Sequence, residues 1–180
     1  MTTPVPEREL DDLWDDGEFV LSRVRRSNDR APALFVRPAT AHPADATIAR
    51  LEHAHSLRGD LDSTWAARPT ELTGRRERLA LGLEDPGSDV LATVLRKPWD
   101  VTPFLRVAVG IARALSGLHG RGLVHKDIKP SNVIADVATG QAWLTGFGIA
   151  SRLRRERPSP SGPRSLPARS PTWRQNRPDA

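Results

Sequence analysis

Ten consecutive residues, Val124-His125-Lys126-Asp127-Ile128-Lys129-Pro130-Ser131-Asn132-Val133, constrain this 180-residue chain more than any other feature. They set a carboxylate, an ammonium and a carboxamide at 127, 129 and 132. Pro130 fixes the turn between them, so one rigid loop presents all three. Upstream, Phe104, Ala108, Ile111, Leu115 and Leu118 recur at 4-3-4-3 spacing and predict an amphipathic helix over 103–119 that buries this stripe. Thr102 is placed to cap it, Pro103 suits the first helical position, and Gly120 and Gly122 end it. Downstream, short strands are predicted near 133–135 and 142–145, turned at Ala138-Thr139-Gly140.

The rest of the chain reads as strands around one helix. Residues 7–14 look like a short surface helix, and 18–25 and 33–37 are β-like runs parted by a polar turn. Ile48, Leu51 and His55, with Ala54 and Leu57 beside them, predict a helix over 44–58. The run 79–83 is a strand stopped by Asp85-Pro86-Gly87, and 88–96 a short helix. Strands with one helix, then a helix-led second part, imply an α+β fold in two lobes, and the 41 Leu, Ile, Val and Phe residues suffice for a modest core. No repeat is visible.

Without cysteine the chain can build no disulfide, thiol nucleophile or thiolate zinc site. His42, His53, His55, Trp65 and Trp99 lack metal-ligand spacing and read as packing or surface residues. The acidic start has no basic and apolar leader regions, and no apolar run approaches the roughly 20 residues of a membrane span, so a soluble cytoplasmic protein without membrane contact is expected. The net charge of +5 invites a nucleic-acid reading, but its location argues against a specific one. Residues 151–180 hold eight Arg against Glu156 and Asp179, leaving 1–150 at −1. This Arg/Pro-rich segment has almost no apolar periodicity and by composition is disordered. Trp173 is its one aromatic residue, too little stacking surface for specific single-strand binding.

The ten-residue loop resembles the catalytic loop of protein kinases, H-R-D-x-K-P-x-N, and Thr145-Gly146-Phe147-Gly148 stands where that family places D-F-G. The resemblance extends over roughly 18–157 and is specific over 120–150. It implies a two-lobed, protein-kinase-like fold with an incomplete C-terminal lobe. A segment 1–17 would precede an N-lobe of about 18–87 and the start of a C-lobe of about 88–157, with the tail 158–180 following. It implies ATP and Mg²⁺ as cofactors and phosphorylation of Ser or Thr in a protein substrate, with a signalling protein as the other candidate partner. In that scheme Asp127 is the catalytic base, Lys129 the γ-phosphate cation and Asn132 a cofactor and metal ligand, while His125 is structural.

By the same resemblance, Leu83–Gly87 is the inter-lobe hinge, where adenine bonds backbone groups whatever the side chains, which puts Glu84 and Asp85 beside the nucleotide. Arg37 is nearest to the strand lysine that binds phosphate, and reads equally as a surface charge at a strand end. The position of that lysine's glutamate partner falls at Ala54, with Glu52 out of phase. Several family features are missing. Gly146 replaces the metal-binding Asp, Lys126 replaces Arg, and the first β pair offers only Gly17 where the Gly-rich phosphate cover belongs. Phosphoryl transfer is therefore expected to be weak or absent, the alternative being a non-catalytic pseudokinase that binds a partner.

Residues 48–53, Leu83–Gly87, the ten-residue loop and Leu144–Leu153 together look like the N-terminal kinase-like module of large bacterial signalling proteins, ahead of an ATPase domain and a sensor histidine kinase. A kinase should continue past Arg157 to A-P-E and a large helical lobe. One permitted codon choice for 163–180, read in a shifted frame, resembles that A-P-E region. A frameshift near 158 is therefore expected, against a genuine Arg/Pro-rich tail.

Overall fold

Residues 10–24 and 33–153 are described by the computed structural model. Strands β1 (Leu10–Asp15), β2 (Phe19–Val24), β3 (Ala33–Pro38), β4 (Pro69–Thr73) and β5 (Ala80–Glu84) form one antiparallel sheet in the order β1-β2-β3-β5-β4. Register sets Leu21 opposite Val36, Val36 opposite Leu81 and Leu34 opposite Leu83, so one face carries a continuous apolar surface. The helix expected over 7–14 is not there. Residues 10–15 form the edge strand β1, with 7–9 outside the described residues, so the boundary set at 18 cuts through a hairpin. Pairing with β2 has overridden a local acidic pattern that suits either state.

Helix α1 (Asp45–Ser56) packs on the sheet through Leu51 and Ala54, with Thr47 also buried. Its buried face is turned from the expected one, because Ile48 and His55 lie half-buried on its flank. Past α1, Leu57, Leu61, Ala66 and Ala67 are buried and join the upper core to the lower one. There Ala67 N–H donates to Leu144 O (2.9 Å) and Leu144 N–H to Trp65 O (2.9 Å).

The second lobe contains β6 (Asp89–Val90), α2 (Leu91–Val94), α3 (Val101–Gly120), β7 (Leu123–Val124), β8 (Val133–Ala135), β9 (Ala142–Leu144) and β10 (Ser151–Arg152). Strands β6-β8-β9 form one small sheet and β7-β10 another. The helix expected over 88–96 is thus a strand followed by a single turn.

Helix α3 starts at Val101, so Asp100 rather than Thr102 stands at the cap and Pro103 is the third helical residue, still within the turn that needs no N–H. Its buried face is Val107, Gly110, Ala114 and Leu118, while Phe104 is 55% exposed. Small residues define this face because the β8–β9 turn and Trp65 come close. A Cβ on Gly110 would overlap the Gly140 carbonyl, and one on Gly117 would lie 2.6 Å from the Trp65 ring. Val101, Leu105 and Val109 form an exposed apolar stripe with Phe104 beside them. By length and composition alone α3 could cross a membrane, contrary to the expectation from apolar runs. In this fold it packs on β7 and β9, with 22% of that apolar stretch buried.

Candidate functional site

The loop after β7 is held from both sides. His125 is 1% exposed, with its ring 4.9 Å from that of Phe147. Its Nδ1 accepts the Asp127 N–H (3.3 Å), so the proton sits on Nε2, which donates to Thr145 O (2.7 Å). Burial lowers its pKa, against the Thr145 carbonyl and the Asp127 charge, so the ring is neutral near pH 7. Lys126 then takes φ +69°, a left-handed conformation that costs a lysine roughly 1–2 kcal/mol and marks a backbone held by its surroundings.

Beyond that kink Asp127 enters a cleft between the lobes. Asn132 Nδ2 donates to both the carbonyl and Oδ2 of Asp127, each at 2.9 Å. Lys129 Nζ lies 3.4 Å from the same Oδ2. Pro130 opens the short 3₁₀ turn Pro130–Asn132, which sets Asn132 back toward Asp127. The three residues singled out from the sequence therefore converge, and all three line the cleft. Such a carboxylate, fixed at both ends and open on one side, is built to accept a proton from a hydroxyl.

The cleft, about 820 Å³ including its open mouth, is apolar at the sheet end and charged at the loop end. Leu21, Val36, Leu81 and Leu83 line the first; Asp16, Glu18, Arg50, Asp127 and Lys129 line the second. That polarity fits a nucleoside carrying a charged tail. Trp14 also lines it, and its indole Nε1 is buried with no hydrogen-bond partner among the described residues.

Arg37, Glu84 and Asp85 do not reach the cleft. Alternation along β3 turns Val36 inward and Arg37 to the opposite face, where its Nη2 pairs with Asp12 Oδ2 (3.1 Å). Glu84 pairs with Arg68 (2.7 Å). The Asp85 carboxylate is fully buried and bound twice by Arg23, at 2.6 and 3.0 Å; Arg23 also donates to Ser88 O. Asp85 thus fastens β2 to the hinge. The hinge backbone has few free donors, since Glu84 N–H bonds Arg68 O, Gly87 N–H bonds Asp85, and Pro86 has none.

Mg²⁺ does not fit in the family's manner. Gly146 supplies no side-chain oxygen, and a Cβ there would lie 2.5 Å from Asn132 Cγ and Oδ1. Asn132 thus occupies the room a metal-binding side chain would need. No group of three or more His, Asp or Glu side chains that could hold a metal ion occurs among the described residues.

Sequence reasoning missed Arg50, Asp16 and Glu18. Arg50 Nη1 bonds Glu18 Oε2 (2.6 Å), and Lys129 Nζ bonds Asp16 Oδ2 (3.2 Å). Asp16 also accepts the N–H groups of Glu18 and Phe19 (3.1 and 2.8 Å). Burial alone would raise the Asp16 pKa, but those N–H groups and Lys129 outweigh it and the net shift is downward. For Lys129 burial is likewise outweighed, by Asp16 and Asp127, and its pKa is raised. Two signals were present: Arg50 lies one turn before Ala54 on the same helix face, and Asp15-Asp16-Gly17-Glu18 stands where a phosphate cover belongs.

Residues 70–173 match the family described as "Protein kinase domain". Similar proteins include Protein kinase MCK1 of Saccharomyces cerevisiae, 49% identical over 49 residues, which is 27% of this chain and 13% of that protein. CBL-interacting protein kinase 4 of Oryza sativa subsp. japonica is 34% identical over 110 residues, 59% of this chain and 22% of that protein. Serine/threonine-protein kinase AfsK of Streptomyces griseus is 49% identical over 51 residues, 28% of this chain and 6% of that protein. The chain thus matches less than a quarter of the length of each of these relatives. With the two-lobed α+β fold and the loop Val124–Val133 set at its cleft, the match over 70–173 makes the chain a member of the protein kinase domain family.

Proposed function

We propose that this chain is a nucleotide-binding, serine/threonine kinase-like module in which metal-dependent phosphoryl transfer is very slow or absent. Gly146 carries the reading, because the room for a metal-binding carboxylate is filled by Asn132. Asp127 can take a hydroxyl proton and Lys129 can neutralise one phosphate. The remaining charge on a transferring phosphoryl group has no counter-ion of the usual kind. The test is phosphorylation of a Ser/Thr-containing acceptor protein by the purified chain with ATP and Mg²⁺, beside Asp127→Asn. No difference between the two is expected. Turnover that Asp127→Asn abolishes would overturn the reading.

The second reading is a non-catalytic scaffold, which the exposed stripe Val101, Leu105 and Val109 favours. A rise in melting temperature with ATP supports the nucleotide-binding reading, and no rise supports the scaffold. The assignment to a large bacterial signalling protein and the frameshift near 158 share one test, the genomic sequence across codons 155–180 in all three frames. The tail itself lies outside the described residues.

A further inference from the structure

The charged end of the cleft contains two cations among the described residues, Arg50 and Lys129, and each is paired with a carboxylate of the β1–β2 turn. The other arginines that sequence or geometry could bring forward are engaged elsewhere: Arg37 with Asp12 on the far face, Arg23 with buried Asp85, Arg68 with Glu84. The pairs at the cleft differ in kind from Arg23–Asp85. Arg50 and Glu18 are 43% and 38% exposed, and Lys129 and Asp16 40% and 25%, whereas Asp85 is 0% exposed. Half-exposed ion pairs exchange partners readily, because water and the competing ion offer nearly the same stabilisation. A multiply charged phosphate ester offers more oxygens to both cations than the turn does.

Resting on the nucleotide-binding reading, we propose that Arg50 of α1, with Lys129, holds the phosphates of the nucleotide, and that Glu18 and Asp16 are the anions it displaces. Arg50 thereby supplies from α1 the phosphate cation that β3 does not, since Val36 faces the cleft and Arg37 is paired with Asp12 on the other face. The guanidinium suits the role, since its planar fork can grip two phosphate oxygens at once. Binding and lifting of the turn become one event. While Asp16 and Glu18 stay in place they repel the incoming tail and occupy its partners. Trp14, which lines the same cleft, adds an unpartnered indole N–H, a donor for a ligand oxygen.

The test measures binding of ATP and of adenosine to the full chain by calorimetry, in EDTA and again with Mg²⁺. Arg50→Gln should weaken ATP roughly tenfold in EDTA and leave adenosine unchanged. Glu18→Gln, which keeps an acceptor for Thr47, should strengthen ATP several-fold and leave adenosine unchanged. A gain of affinity cannot come from misfolding, so the second variant guards the first. Arg37→Ala should leave both ligands unaffected. If both ligands bind but neither Arg50→Gln nor Glu18→Gln moves the ratio of their affinities, the assignment of Arg50 is overturned and the nucleotide-binding reading survives. If neither ligand binds the unaltered chain, that reading falls and takes this one with it.

Discussion

A side chain at 146 has no room until Asn132 moves, and Asn132 is what fixes Asp127 from behind. Gly146→Asp, the substitution that would write the family motif, should therefore loosen the loop it is meant to complete. The φ of +77° is one that side chains rarely adopt, so backbone strain adds to the contact with Asn132, and a loss of about 1–3 kcal/mol is expected in urea unfolding without gain of turnover. His125 contributes a pH dependence. Its folded pKa lies below its ordinary 6.5, so in acid the unfolded chain takes up a proton that the folded one refuses. Its contribution is complete above 6.5 and is lost as the pH falls through the lower, folded value. The urea midpoint should drop as the pH falls through and below 6.5, and His125→Phe should flatten that slope. At this scale the loop chemistry was legible because it is local: Asp127, Lys129 and Asn132 lie within six residues of one another. Arg50 was not, since its value depends on a turn 32 positions away.

Helix α3 was legible as a helix and not as a face. Its period is strong, but the large apolar residues Phe104, Leu105 and Val109 lie on the outside, and the packed side is marked by Gly110 and Ala114. Of the expected stripe Leu118 is buried and Ile111 and Leu115 pack against the core, but Phe104 lies outside, because close approach, rather than bulk, determines the contact at Gly110 and Ala114. Gly110→Ala should thus be unusually damaging for an exchange that favours helix by about 1 kcal/mol on propensity. The added methyl meets the Gly140 carbonyl, and Gly140, at φ +79° with Arg106 against it, cannot easily retreat. A net loss of about 1–3 kcal/mol is expected by chemical denaturation. A neutral or stabilised Gly110→Ala would show that the β8–β9 turn yields. Strand β1 is the converse case, an acidic run whose state was set by a partner strand rather than by its own pattern.

Across the whole molecule the two-lobed plan was legible from the order of elements, while the joints between the lobes were not. Asp85 looked like a ligand contact because it stands in the hinge sequence. Its neighbour in space is Arg23, 62 positions earlier, and no local signal joins them. Arg23→Ala would strand a buried carboxylate, at a cost of about 3–5 kcal/mol, and a melting-temperature measurement would register it. Arg23→Lys should recover only part of this, because one ammonium cannot reproduce the two-pronged contact. The second joint is the short parallel seam in which Trp65 and Ala67 bond the backbone of Leu144. A third tie joins α1 to the turn Phe147–Ile149, where His53 Nε2 bonds the Ala150 carbonyl (2.7 Å). Held at the hinge, at Leu144 and at Ala150, the sheet has several ties to the lower lobe. The bond from Asp16 to Lys129 is the one that crosses the cleft itself, where a catch would sit.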